Sequence, residues 1–170
     1  MKILIIRYKK STSILEGGEM CSQRNYNLLS SIAGPDNVTT YYVHDENSKK
    51  TIWDYVRGGF YITKGYFWGL TPKRVSSIIS MAKDYDVVFI DRSVFGIIAK
   101  ALKKSQYPGK VFSFFHNVEV PYFEAKLGKK RFGKSLILNC VDKNDSYACK
   151  YSDKVVALTE RDDNELYKRY

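Results

Sequence analysis

The sequence predicts an α/β domain of the Rossmann-like type, with a mostly parallel sheet sandwiched by helices. Five short apolar runs have the length of strands, and helical patterns separate them along the chain. Four of the runs are almost continuously apolar, as expected for parallel strands that are covered on both faces, whereas the second is more polar and suits a place nearer an edge. The predicted strands are 2–6, 38–43, 86–90, 110–115 and 154–158.

Helical spacing of apolar residues predicts the segments between the strands. In 20–33, Cys21, Leu28, Leu29 and Ile32 share a face, and a Gly-Pro pair ends the helix. Thr71 is a natural cap and Pro72 a natural first residue for a helix over 72–83. The remaining predicted helices are 94–104, 131–151 (with the broken stripe Phe132, Leu136, Cys140, Tyr147 and Tyr151) and a last one that begins after Thr159.

Length and composition fit one domain spanning 1–170, with a net charge of +10 that favours anionic partners such as phosphorylated substrates, acidic lipid or nucleic acid. Three cysteines without a C-x-x-C pair argue against a disulfide framework or a zinc site. No apolar run reaches the length of a transmembrane helix or a signal segment, which predicts a cytoplasmic protein. The sequence has no P-loop, G-x-S-x-G or metal-ligand spacing, which disfavours P-loop NTPases, hydrolase triads and metalloenzymes.

The residues that follow the strands are the candidate site, because ligands of open α/β sheets bind at the carboxyl ends of the strands. Gly17 and Gly18 enter the first helix, whose N-terminus favours a phosphate or carboxylate, although a turn that needs flexible residues explains two glycines equally well. His116 ends the fourth strand and can hydrogen-bond a polar ligand; a histidine satisfied by backbone groups is the alternative.

Three other strand ends carry weaker signals. Arg92 either holds an anion or pairs with Asp91. Thr159 is explained by helix capping alone. His44 is followed by acidic residues in a polar loop, which predicts a solvated side chain.

Two surface features bear on partners. The aromatic and glycine-rich stretch 52–70 and a basic patch could together rest on an anionic membrane surface, or the aromatic residues could be core and the basic residues a solvated face. The aromatic residues are not spaced as in RNA-binding motifs, which disfavours nucleic acid. The basic patch comprises Lys126, Lys129, Lys130, Arg131 and Lys134.

The ordered set of motifs resembles the N-terminal domain of family 4 retaining glycosyltransferases, which have the two-domain GT-B fold. The carrying motifs are the first strand, the Gly-Gly loop entering a helix, a strand ending in His-Asn-Val-Glu, and a strand running into Ala-Leu-Thr-Glu. The resemblance implies that Gly17 and Gly18 approach the donor diphosphate and that His116 contacts the transferred sugar in the catalytic site. It further places on the acceptor side or cleft rim Glu19, Arg24, Asn117, Glu119, Thr159 and Glu160.

The implied activity is transfer of a sugar from a nucleotide-diphosphate sugar to a glycan or lipid-linked acceptor, with retention at the anomeric carbon and without a metal or other cofactor. The family's C-terminal nucleotide-sugar domain does not occur in the 170 residues, so we expect a truncation or a natural half-enzyme that is inactive alone. The resemblance also implies a role in cell-surface polysaccharide synthesis at the cytoplasmic membrane face. A non-catalytic Rossmann-like module that binds a partner subunit or a membrane is the alternative.

Overall fold

A parallel five-stranded sheet forms the centre of the computed structural model, which describes residues 1–10, 17–44, 52–128 and 133–170. The strand order is β2-β1-β3-β4-β5, and all neighbouring pairs are parallel. This confirms the predicted fold class and places the more polar second strand at an edge. The strands are β1 (Ile3–Arg7), β2 (Val38–Tyr42), β3 (Val87–Ile90), β4 (Lys110–Phe115) and β5 (Lys154–Ala157).

Seven α-helices occur in the described part of the chain, two more than the apolar spacing predicts. The unpredicted ones are α2 and α5, and the helix predicted at 94–104 starts later because a 3-10 turn occupies Ser93–Phe95. The helices are α1 (Gly17–Ala33), α2 (Ile52–Thr63), α3 (Pro72–Ala82), α4 (Gly96–Lys104), α5 (Glu119–Leu127), α6 (Lys134–Tyr151) and α7 (Glu160–Arg169).

Alternate residues of the strands supply two cores, one on each face of the sheet. Leu4 and Ile6 point into the larger core, which α3, α4, α5 and α6 cover. Ile3 and Ile5 point into the smaller core, where α1 contributes Cys21, Tyr26 and Leu29. Helices therefore cover both faces, which explains why the central strands read as continuous apolar runs.

Two of the predicted helix faces are wrong in part. Leu28 and Ile32 are 57% and 62% exposed, because α1 turns Ser22, Asn25 and Leu29 toward the sheet instead. In α6 the inward face runs through residues 140, 141, 144, 145 and 148, which leaves Leu136 48% exposed. Phe132 lies outside the described residues. None of the described helices is long and apolar enough to cross a membrane.

Candidate functional site

The candidate site lies where the strand order reverses. The chain runs from β1 to β2 on one side and then crosses to β3 on the other side of β1, so the carboxyl ends of β1 and β3 flank a crevice. Arg7 is the last residue of β1, Asp91 follows β3, and His116 follows β4. All three side chains are buried.

Asp91 is the centre of a buried group of polar side chains. Its Oδ1 accepts a hydrogen bond of 3.0 Å from Asn25 Nδ2 of α1. Arg7 Nε lies 3.9 Å from Asp91 Oδ2, and His116 Nε2 lies 3.6 Å from Asp91 Oδ1. The carboxylate thus joins β1, β3, β4 and α1 at one point. We call Arg7, Gly18, Asn25, Asp91, Arg92 and His116 the polar cluster.

Gly18 belongs to this cluster because its backbone is close to two of the side chains. A Cβ atom at residue 18 would lie 2.6 Å from Arg92 Nη2 and 3.7 Å from His116 Nδ1. At Gly17 a Cβ would meet nothing within 4 Å. The sequence-predicted glycine and histidine therefore meet at the carboxyl edge of the sheet, and the Arg92 guanidinium lies at the N-terminus of α1 beside them.

His116 is not satisfied by backbone groups, which was the alternative that the sequence left open. The side chain is 4% exposed, yet within the described structure neither ring nitrogen makes a hydrogen bond. The ring stands edge-on to Phe114, with 5.2 Å between the centroids, and that contact fixes its orientation. A proton on Nε2, which faces the Asp91 carboxylate, leaves Nδ1 on the Gly18 side to bind a ligand.

Two fully buried carboxyl groups lie next to the polar cluster. Glu119 is the first residue of α5, and Asp145 lies on the inward face of α6. Burial raises the pKa of Glu119, although the nearby Arg92 and His116 lower it. Burial also raises the pKa of Asp145 well above its usual range, and the charge of Glu119 raises it further. We call Glu119 and Asp145 the carboxyl pair.

Neither carboxyl group has a hydrogen bond of good geometry among the described residues. Ser93 Oγ lies close enough to Asp145 to favour its ionised form, but the contact falls short of a proper hydrogen bond. The two groups therefore favour a neutral, protonated state. The sequence analysis missed Asp145, whose signal is a carboxylate at helical spacing between the apolar residues Val141 and Ala148.

The other predicted site residues are more exposed. Glu19 lies 3.4 Å from Lys9, and the Arg24 guanidinium lies 3.4 Å from Cys21 Sγ. The Asn117 side chain points to solvent. Thr159 caps α7 by accepting from the Asp162 N–H at 3.1 Å, as predicted, and Glu160 is exposed in the first turn of that helix.

The described part of the basic patch has local contacts. Lys134 Nζ donates to the carbonyl oxygens of Glu124 and Gly128 and so closes the end of α5. Lys126 Nζ lies 3.2 Å from the Tyr122 hydroxyl. Lys129, Lys130 and Arg131 lie outside the described residues. The structure thus explains two of the five basic residues without a membrane.

His44 is not the solvated side chain that the sequence predicts. The ring is half-buried and stacks on Tyr8, with 5.4 Å between the centroids and 7° between the planes. The ring of Trp68 also contacts Tyr8, with 5.3 Å between the two ring centroids. Part of the stretch 52–70 is core, since Phe67 is fully buried, while Phe60 is 56% exposed.

The polar cluster combines an anion-attracting helix N-terminus, a guanidinium and an imidazole with a free nitrogen at a switch point, which suits a phosphorylated, hydroxyl-rich ligand. No family model matches this chain, and no curated protein matches it. In the part of the chain that the structure describes, no three His, Cys, Asp or Glu side chains are grouped as metal ligands would be. The site therefore has to be interpreted from its own geometry.

Proposed function

We propose that this chain is the acceptor-side domain of a retaining glycosyltransferase, which works with a nucleotide-sugar-binding domain that is not among the 170 residues. The observation that carries the proposal is the meeting of Gly18, Arg92 and the unpaired nitrogen of His116 at the N-terminus of α1. A sugar diphosphate carries negative charge and hydroxyl groups in the same molecule. The site offers hydrogen-bond donors for the charge and an acceptor, His116 Nδ1, for a hydroxyl group.

Each member of the cluster then has a distinct role. The first N–H groups of α1 and the Arg92 guanidinium stabilise the charge that develops on the leaving diphosphate. A side chain at residue 18 would occupy the space between them, so glycine lets the ligand approach the backbone. His116 Nδ1 hydrogen-bonds a hydroxyl of the transferred sugar, and Asp91 holds the imidazole in the required tautomer.

Glu119 fits a place on the acceptor side, beside His116 and Arg92. Its carboxyl group favours the protonated state, so it can donate a hydrogen bond to an acceptor oxygen. The partly buried Glu19 and the exposed Arg24, Asn117 and Glu160 remain acceptor-side proposals that depend on the resemblance.

The test uses the protein in which this chain accompanies its nucleotide-sugar domain. Release of nucleoside diphosphate is measured across a panel of nucleotide sugars for the parent protein, Gly18→Ala and His116→Ala. Each variant should lose roughly 100-fold or more in kcat/KM, which is the scale for removing one preorganised group from a transition state. Gly18→Ala should stay folded, because the atom that a Cβ meets is the flexible end of Arg92.

Gly59→Ala is the matched control, since its Cβ would enter open space on α2. It should keep the parent rate. A full rate in both site variants, with folding verified by circular dichroism, would show that the polar cluster takes no part in transfer.

The alternative function is a non-catalytic module that binds a partner subunit. One observation favours it: Met20, Leu28 and Ile32 are exposed apolar residues on one side of α1, at spacings of eight and four residues, with Arg24 between the first two. In that case His116→Ala would leave function intact, while Leu28→Ser with Ile32→Ser would weaken the association. The two variant sets therefore separate the two functions.

A further inference from the structure

Three aromatic rings from different parts of the chain form a continuous array at the carboxyl edge of the sheet. Tyr8 follows β1, His44 follows β2, and Trp68 lies between α2 and α3. Tyr8 stacks on His44 and touches Trp68, with centroid distances of 5.4 and 5.3 Å. All three residues are half-buried, so each keeps part of its surface in contact with solvent. We call them the aromatic platform.

The backbone at Trp68 is strained. Its φ is 32°, in the left-handed region that a bulky residue rarely adopts, and Gly69 follows with a φ of 78°. Such a conformation costs on the order of 1–3 kcal/mol and persists only where the surroundings enforce it. Trp68 also packs against the larger core, next to Phe67, which is fully buried.

Arg74 enforces this conformation. Its Nη1 donates to the carbonyl oxygens of Val43, which precedes His44, and of Gly69, which follows Trp68. The guanidinium thus ties the loop after β2, which carries His44, to the loop that carries Trp68. A Cβ at residue 69 would make only ordinary contacts, 3.8 Å from His44 Nδ1, so it is the positive φ and not a lack of space that favours glycine there. The platform is preorganised rather than incidental.

The platform and the polar cluster are connected along the chain at the carboxyl edge of the sheet. Tyr8 follows Arg7, whose Nε lies 3.9 Å from Asp91. Trp68 contacts Phe123 at 5.3 Å, and Phe123 belongs to α5, the helix that begins at Glu119. The platform thus shares this edge of the sheet with the proposed transfer site.

We propose that the aromatic platform binds a sugar ring of the acceptor by stacking. A pyranose has an apolar face of C–H bonds, which suits the electron-rich face of an aromatic ring, and a rim of hydroxyl groups, which suits the phenol, imidazole and indole N–H edges. The inference rests on the proposed function and deepens it, since it selects a glycan or glycolipid head group over a lipid chain as the part of the acceptor that this chain recognises.

The first experiment measures binding to the chain directly. The protein has two tryptophans, so Trp53→Phe leaves Trp68 as the reporter of fluorescence. Methyl glycosides of glucose, galactose and mannose, and uridine monophosphate as a nucleobase probe, are titrated separately. At least one glycoside should give a saturable change, and His44→Ala should weaken its binding roughly tenfold, the scale of one lost stacking contact.

Tyr167→Leu, which removes an aromatic side chain that is 89% exposed on α7, is the matched control and should bind as the parent does. A response to uridine monophosphate alone, or to none of the four probes, would overturn the inference. Equal weakening by Tyr167→Leu and His44→Ala would overturn it too, because the effect would not belong to the platform.

The second experiment separates this inference from the proposed transferase activity. In the protein with its nucleotide-sugar domain, Trp68→Leu should raise the acceptor KM roughly tenfold. The rate of donor hydrolysis by water should be unchanged. Normal hydrolysis with an unchanged acceptor KM rejects the platform and leaves the transferase proposal standing. Glycoside binding at Trp68 without any nucleotide-sugar activity supports the platform as a sugar site and rejects the transferase.

Discussion

Gly96 is the position at which a single methyl group should do the most damage to this fold. It starts α4 with an ordinary helical φ of −55°, so its lack of a side chain is a matter of space. A Cβ there would overlap the carbonyl oxygen of Asn144 and lie 2.7 Å from the backbone nitrogen of Ala148, both in α6. Backbone atoms of a packed helix cannot turn aside as a side chain can.

The size of the effect follows from what α6 would have to do. To restore a contact of 3.4 Å from one of 2.7 Å it must retreat by at least about 0.7 Å. The buried Asn144 amide would move with it, although it now accepts from the Ile97 N–H at 2.9 Å and donates to the Gly65 carbonyl at 2.9 Å. Overpacking costs about 1–3 kcal/mol and a stretched buried hydrogen bond about 1–3 kcal/mol more.

We therefore expect Gly96→Ala to lower the free energy of unfolding by about 3–5 kcal/mol, a large part of the 5–15 kcal/mol typical of a domain. Urea unfolding followed by circular dichroism measures it, and a slope of about 2 kcal/mol per molar makes the midpoint shift roughly 2 M. Gly59→Ala, also helical but facing open space, should instead gain about 0.5–1 kcal/mol. A Gly96→Ala protein within about 0.5 kcal/mol of the parent would refute the close approach of α4 and α6.

Two further predictions concern the carboxyl pair and a helix cap. The folded-state pKa of Asp145 lies above its unfolded value, so the contribution of this group to stability is greatest below about pH 4 and falls as the pH rises toward the folded-state pKa. Asp145→Asn should remove that fall and raise the free energy of unfolding at pH 7 by about 1–3 kcal/mol. Urea unfolding between about pH 4 and pH 7 measures both effects. An unchanged pH dependence in this variant would contradict the raised pKa of Asp145. Thr159→Ala should cost about 1 kcal/mol and speed amide exchange in α7, whereas Thr159→Ser should restore the parent behaviour; equal exchange in both variants would show that the cap is not used.

The strands were predictable because a strand that is buried on both faces has a continuous run of apolar residues, such as 87–90. Helix α2 was not, since Gly58 and Gly59 interrupt its apolar pattern and tertiary contacts override their low helix propensity. Helix α5 was not predicted because it begins at Glu119, within the His-Asn-Val-Glu motif that was interpreted as the end of a strand.

The candidate site was predictable only for residues that follow strands. Gly18, Arg92 and His116 were each found by their place at a carboxyl end, a rule that needs no coordinates. Asn25 and Asp145 were not, because their contribution depends on which way a helix is rotated against the sheet. The same rotation explains why Leu28, which was predicted to face the core, is exposed while Asn25 of the same helix is buried.

The energetics of the site favour a ligand-binding role over a structural one. His116, Glu119 and Asp145 are buried without well-formed hydrogen bonds, and each such group costs about 1–3 kcal/mol. A domain with a net stability of about 5–15 kcal/mol would gain from apolar residues of similar shape at all three positions. Protonation of the two carboxyl groups reduces their cost but does nothing for the free nitrogens of His116. A ligand that accepts from or donates to these nitrogens would compensate the cost at the moment of binding, so the stability lost in the free protein would be returned as affinity.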